Sequence, residues 1–237
     1  GDPLTADDVK WSLIRAANSS HVSSKAAFLN TDDLTVVDEN TIKVGYKYPN
    51  ASAYSAFSQA GLSILPSGLY ADADTAEISK NPIGTGPYKY VDCVNGESVT
   101  FVRNDEYWGE PAKIKNMVWK TITENANRTI ELETGGAHFS YDVSATDIER
   151  VEGDENLELL MGPNFTIQYV CYNTQKAPLD DVRVRKALGM AVDKEAIQIA
   201  AYNGLGKTGV GPMVSTTQYA TEDLDVAGFD LDAAKAL

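Results

Sequence analysis

The segment Asn81-Pro82-Ile83-Gly84-Thr85-Gly86-Pro87-Tyr88 reads as a turn that feeds a strand. Its glycines permit the positive φ that a tight turn needs, and Pro87 closes it. A second block, Asp180-Asp181-Val182-Arg183-Val184-Arg185-Lys186-Ala187-Leu188, followed by Ala191-Val192-Asp193, opens a helix. Asp180 and Asp181 cap that helix, Val182, Leu188 and Val192 can face a core, and Arg183 and Arg185 can pair with nearby carboxylates or carbonyls. Gly84-Thr85-Gly86-Pro87 lacks the Lys-Ser/Thr of a phosphate loop and leads into a strand, whereas phosphate cradling uses amides at a helix N-terminus. Neither block carries a nucleophile with a base, a metal cluster or a phosphate loop.

The totals set bounds around these blocks. A chain of 237 residues with 43% hydrophobic and 23% charged side chains is ordinary for a globular protein of one or two domains. A net charge of −14 opposes binding to nucleic acid or anionic lipid, both of which call for a basic surface. No apolar run reaches the roughly 18 residues of a membrane span. The chain has no initiator Met, Gly1 reads as a tag remnant, and Asp230 to Leu237 reads as a capped helix cut short. An excerpt of a longer protein is therefore expected, and the missing signal peptide carries no weight. Cys93 and Cys171 sit in strand-like apolar contexts, which predicts buried free thiols.

Outward from the first block, Thr5 and Asp8 form a capping box for a helix running to about Ala17. Leu34 to Tyr46 reads as a hairpin around Asp38-Glu39-Asn40. Ala51 to Gln59 is a short helix, and Leu62 to Leu65 a short strand stopped by Pro66. Tyr88 to Val94 pairs with Ser98 to Arg103 across Asn95-Gly96. Ile114 to Ile122 is a strand, Glu124 to Glu133 a helix closed by Gly135, and His138 to Val143 a strand. Ser144 caps a helix running to about Val151, and Leu157 to Met161 and Phe165 to Asn173 are strands. This alternation makes the part between Ile114 and Asn173 α/β. Asp181 to Tyr202 is helical with a recap at Asp193, and Gly206 to Gly228 is loop.

The candidate chemistry is sparse. His21 and His138 are the only histidines, and no Cys or carboxylate falls at metal-ligand spacing around them. His138 and Asp142 alternate along one face of the predicted strand, as a surface or site-lining pair. The carboxylates lie in turns or at helix starts, where the helix dipole suffices to explain them. No G-x-S-x-G elbow is present.

Several blocks taken in order resemble the family 5 extracytoplasmic solute-binding proteins of peptide and nickel ABC importers: Leu4 to Arg15, Asn81 to Tyr90, Val102-Arg103-Asn104 to Trp108, Thr134-Gly135, Tyr172-Asn173 and Ala177-Pro178-Leu179 to Asp193. The resemblance implies an α/β, periplasmic-binding-protein-like (class II type) mixed sheet with flanking helices, in a truncated two-lobe architecture. It implies a small subdomain of the first lobe over residues 1–84, the main α/β part of that lobe over 85–173, and the hinge crossing with the start of the second lobe over 174–237. By alignment, Tyr141 and Asp142 fall where such relatives line the ligand cleft, with Lys25 and Tyr169 as further ligand-binding candidates. A Tyr there stacks and hydrogen-bonds backbone, and an Asp accepts from an ammonium or amide. The alternative has Tyr141 in the core and Asp142 closing a strand end. Gly135-Gly136-Ala137-His138 departs from the family's acidic pattern at this point, with His138 where an Asp is typical.

The function implied is capture of a di- or oligopeptide by hinge closure outside the membrane, in the periplasm or as a lipid-anchored protein. Delivery to the ABC permease membrane subunits would follow, with no catalytic residue, cofactor, metal or nucleic acid, and as a monomer. The same role for a nickel chelate, oligosaccharide or opine is the alternative within the fold, and an extracytoplasmic carboxylate-dependent hydrolase the alternative outside it. The excerpt alone is expected to bind ligand weakly, because a cleft needs both walls.

Overall fold

In the computed structural model, residues 2–224 and 226–237 are described. Gly1, read above as a tag remnant, and Asp225, in the predicted tail loop, lie outside them. The chain divides into two compact units, residues 1–121 and 122–237.

The first unit is built on α1 (Ala6–Asn18), whose start carries both bonds of the capping box: Asp8 N–H donates to Thr5 Oγ1 (3.3 Å) and Thr5 N–H to Asp8 Oδ2 (2.9 Å). Its apolar face packs on the hairpin β1 (Leu29–Asp38) and β2 (Thr41–Tyr46). Leu13, Ala16, Phe28, Leu29, Leu34 and Leu62 are buried together, and the Phe28 ring meets Tyr46 and Phe57 edge-on at 5.3 and 5.6 Å. β1 starts earlier than predicted, at Leu29. Short helices follow: α2 (Ala53–Phe57), α3 (Ser67–Tyr70) and α4 (Thr75–Lys80).

The predicted strand over Leu62 to Leu65 does not form; a 3-10 turn covers Ala60–Leu62 instead. The reason is local. Leu65 N–H donates to Ser12 Oγ (2.9 Å), and Ser12 Oγ–H donates to Leu65 O (3.3 Å). The backbone groups a ladder would need are thus spent on docking this segment to α1.

After the glycine turn come β3 (Tyr88–Val94), β4 (Ser98–Arg103) and β5 (Asn116–Lys120), an antiparallel sheet in that order. Only Gly96 of the connecting loop has positive φ (75°), and Val94 pairs with Ser98, so the loop is Asn95-Gly96-Glu97 rather than a two-residue turn. Bonds across the first block hold the turn: Asn104 N–H donates to Pro87 O (2.9 Å), Asn104 Nδ2 to Gly86 O (3.2 Å) and Trp108 Nε1 to Thr85 O (3.1 Å).

The second unit contains α5 (Asn125–Glu133), α6 (Ile148–Glu152), α7 (Val182–Met190), α8 (Lys194–Tyr202) and α9 (Leu231–Ala236). The break between α7 and α8 falls where predicted, with Asp193 accepting from Ala196 N–H (2.9 Å). Arg183 grips Asp181 (2.6 Å), and Arg185 Nη1 donates to Leu179 O (2.7 Å) and Asp180 O (3.0 Å), the pairings expected of that block, whereas Val182, Leu188 and Val192, expected to face a core, are exposed (51%, 41%, 41%). The predicted strands over His138 to Val143, Leu157 to Met161 and Phe165 to Asn173 do not form, and among the described residues of this unit there is no strand. A strand is stable only where another completes its ladder, and these segments have no pairing partner among the described residues. Their large side chains lie open, with Phe165, Tyr169 and Val170 all about three-quarters exposed (76%, 74%, 76%). Cys93 and Cys171 are free and exposed, not buried as predicted, because the first lies on an uncovered sheet and the second in one of these unpaired segments. Among the described residues no helix is long and apolar enough to cross a membrane.

Candidate functional site

Between α5 and α6 the chain carries the two strongest site candidates of the sequence. α5 ends as its glycine demands: Gly135 takes φ 75°, its N–H donates to Leu132 O (3.1 Å), and Ala137 N–H donates to Glu131 O (2.8 Å). The segment that follows leaves the helix in extended and bent conformation. Tyr141 is 80% exposed and Phe139 71%, and their rings meet edge-on with centroids 6.0 Å apart. Tyr141 is therefore not a core residue. The pair presents an aromatic surface of the kind that stacks on a planar or apolar ligand group.

Asp142 closes this segment in the left-handed region at φ 63°. Among non-glycine residues Asp and Asn tolerate that conformation best, because a short polar side chain can be held locally. Here its Oδ2 lies 3.8 Å from Arg128 Nη2, an ion pair longer than a hydrogen bond, and its side chain is 78% exposed. The same guanidinium donates from Nη1 to Ile122 O (2.9 Å) and from Nη2 to Asn125 Oδ1. On the far side, buried Thr129 donates from Oγ1 to Asp147 Oδ2 (3.0 Å), and Arg150 reaches Asp147 Oδ1 (3.1 Å) and Glu133 Oε2 (3.3 Å). With its carboxylate so engaged, Asp147 stands at the start of α6 without a side-chain cap bond, and α6 begins later than predicted from Ser144.

The structure brings Tyr141 and Asp142 together with Phe139 and Arg128, two residues that the sequence reading missed. Phe139 had a signal in its i, i+2 spacing to Tyr141. Arg128 had none, because its partner lies beyond the helix and a loop. His138 is exposed and, with no strand formed, shares no strand face with Asp142. Tyr169 is exposed and makes no hydrogen bond, ion pair or ring contact with Tyr141 or Asp142 among the described residues. Lys25 belongs to the first unit, exposed in the turn after α1, its N–H donating to Val22 O (2.9 Å). Elsewhere in the second unit, Gln198, Gly206, Lys207, Thr208, Val210 and Glu222 line an open depression that contains none of the candidates. Among the described residues no group of three or more His, Cys, Asp or Glu side chains assembles in metal-binding proximity.

The groups brought together are an aromatic face, an exposed carboxylate and a guanidinium, which suit recognition. The family description "Bacterial extracellular solute-binding proteins, family 5 Middle" matches residues 1–237. The dipeptide-binding protein of Escherichia coli (strain K12) is 30% identical over 251 aligned positions, which take in 99% of this chain and 47% of that protein. Heme-binding protein A of Haemophilus influenzae is 28% identical over 206 positions, 85% of this chain and 38% of that protein. The chain thus spans less than half the length of these curated relatives. The oligopeptide-binding protein AppA of Bacillus subtilis, solved with a nonapeptide, superposes with a TM-score of 0.81 at 23% identity over 100% of this chain and 48% of its own, a likeness of fold.

Proposed function

The chain belongs to the bacterial extracellular solute-binding proteins of family 5, and from that premise we propose that it forms part of the substrate-binding component of an ABC importer for di- or oligopeptides. The observation that carries the peptide reading is the similarity along 99% of the chain to a dipeptide-binding protein. The second unit supports it with an exposed aromatic pair beside a carboxylate. In this reading the protein captures peptide outside the cytoplasmic membrane and passes it to the permease subunits, without chemistry on the ligand. Tyr141 stacks on or hydrogen-bonds the peptide, and Asp142 accepts from an ammonium or amide. Lys25 and Tyr169 contribute as the cleft closes, and hinge closure buries the surfaces that are open here. Residues 1–84, 85–173 and 174–237 then serve as the small subdomain, the main part of the first lobe and the crossing into the second.

The similarity to heme-binding protein A favours a second reading, the same capture role for a non-peptide solute.

Thermal shift on the polypeptide that carries this chain at its relatives' full length separates the two. Pools of di- to octapeptides, heme, oligosaccharides and a nickel chelate are the probes. A ligand at a hundredfold its Kd adds about 2.7 kcal/mol, a readable rise in Tm. A rise with peptides alone is the expected result. A rise only with a non-peptide solute keeps the capture role and replaces the substrate, and no rise with any probe sinks both readings.

A further inference from the structure

Arg128, on α5, faces Asp142 at the end of the segment bearing Phe139 and Tyr141. Its side chain is 24% exposed, and its Nε is buried with no hydrogen-bond partner among the described residues. Such an orphan N–H is rare and costly, so this guanidinium is held where it is by its other contacts. Those are the Ile122 carbonyl, the Asn125 side chain and Asp142. Asp142 in turn occupies the strained left-handed conformation, which persists only where surroundings over-determine it.

The neighbouring carboxylates engage other donors. Asp147 is taken by Thr129 and Arg150, and Glu133 by Arg150. Arg128 is the cation that faces Asp142, and Asp142, 78% exposed, keeps acceptor capacity for a ligand.

We propose that Arg128 is a positioning and specificity-determining residue of the ligand site: it holds the Asp142 turn so that the carboxylate and the Tyr141 ring are presented together, and its charge offsets that of Asp142. This rests on the placement of the ligand site at Tyr141 and Asp142 given above. With Arg128 in place, the Asp142 charge is offset, and the site favours uncharged over cationic peptides more than it does without Arg128. Without it, an unopposed carboxylate remains and the preference turns toward cations. Arg suits this role better than Lys, because a planar fork can hold a carbonyl, an amide oxygen and a carboxylate at once.

Calorimetric titration of the full-length protein with tri-alanine and tri-lysine tests the proposal, in Arg128→Met, Arg128→Lys, Asp142→Asn and Tyr141→Ala variants. Arg128→Met should weaken tri-alanine about tenfold and shift the tri-lysine to tri-alanine preference about tenfold toward lysine. Asp142→Asn should shift that preference in the opposite direction, and Arg128→Lys should keep it near the parent value. Tyr141→Ala should weaken both peptides alike. A merely structural role for Arg128 lowers the competent fraction and Tm while leaving both Kd values within twofold, which overturns the proposal. Should Arg128→Met fail to fold, an unchanged preference in Asp142→Asn overturns it equally. If Tyr141→Ala and Asp142→Asn both leave tri-alanine affinity untouched, the site placement itself falls; if neither peptide binds the parent protein, the peptide reading falls and takes the proposal with it.

Discussion

At the residue scale, Asp8 shows how one side chain joins the start of α1 to the start of α3. Burial of its carboxyl (8% exposed) favours the neutral acid, but hydrogen bonds from the Ser67 side chain, the Thr5 and Ser67 backbones and the Thr5 side chain outweigh it. The pKa is held at about 2, below its ordinary 3.8. A depressed carboxylate pKa stabilises the fold above the unfolded value and loses that contribution as pH falls toward the folded one. The contribution is about 2 kcal/mol at neutral pH and disappears between about pH 4 and pH 2. Asp8→Asn should therefore lower the urea midpoint at pH 7 and leave it close to the parent's near pH 2. Parallel stability profiles across that window would show that Asp8 is not the titrating group. The capping-box half of this arrangement was legible in Thr5-Ala6-Asp7-Asp8, because a cap is local. The Ser67 half was not, since its partner is 59 residues away.

At the element scale, several helix starts followed their capping side chains. Asp193 starts α8 and Asp230 starts α9 as the sequence implied. Asp147 did not act as a local rule would have it, because Thr129 and Arg150 claim its carboxylate. The segment around Leu65 is the clearest case of tertiary override. It has apolar strand character, yet Ser12 of α1 satisfies its backbone at both N–H and C=O. Ser12 is itself only 4% exposed, so Ser12→Ala leaves a backbone donor and acceptor unsatisfied in a mostly buried place. The expected loss is about 1–3 kcal/mol in urea unfolding, whereas Ser58→Ala on the exposed α2 C-cap should stay within about 0.5 kcal/mol. Equal effects from the two substitutions would mean that the 62–65 segment is not docked through Ser12.

At the scale of the whole molecule, the first unit holds its buried core around α1 and the β1–β2 hairpin, while the β3–β5 sheet and the second unit leave many large apolar side chains open. Both thiols follow that pattern. Ellman's reagent should modify Cys93 and Cys171 of residues 1–237 without denaturant, each at a rate near that of the unfolded chain; one protected thiol would mean that its segment is covered. The amino-acid sequence by itself determined the family, the Thr5–Asp8 capping box, the two hairpins and the α7–α8 break, because all of these rest on local chemistry or on ordered motifs. The tertiary structure alone decided that Ser12 displaces a strand, that the 138–143, 157–161 and 165–173 segments remain unpaired, and that Arg128 faces Asp142. Each of these depends on which distant group completes a hydrogen bond or a charge pair, and local pattern carries no record of that partner.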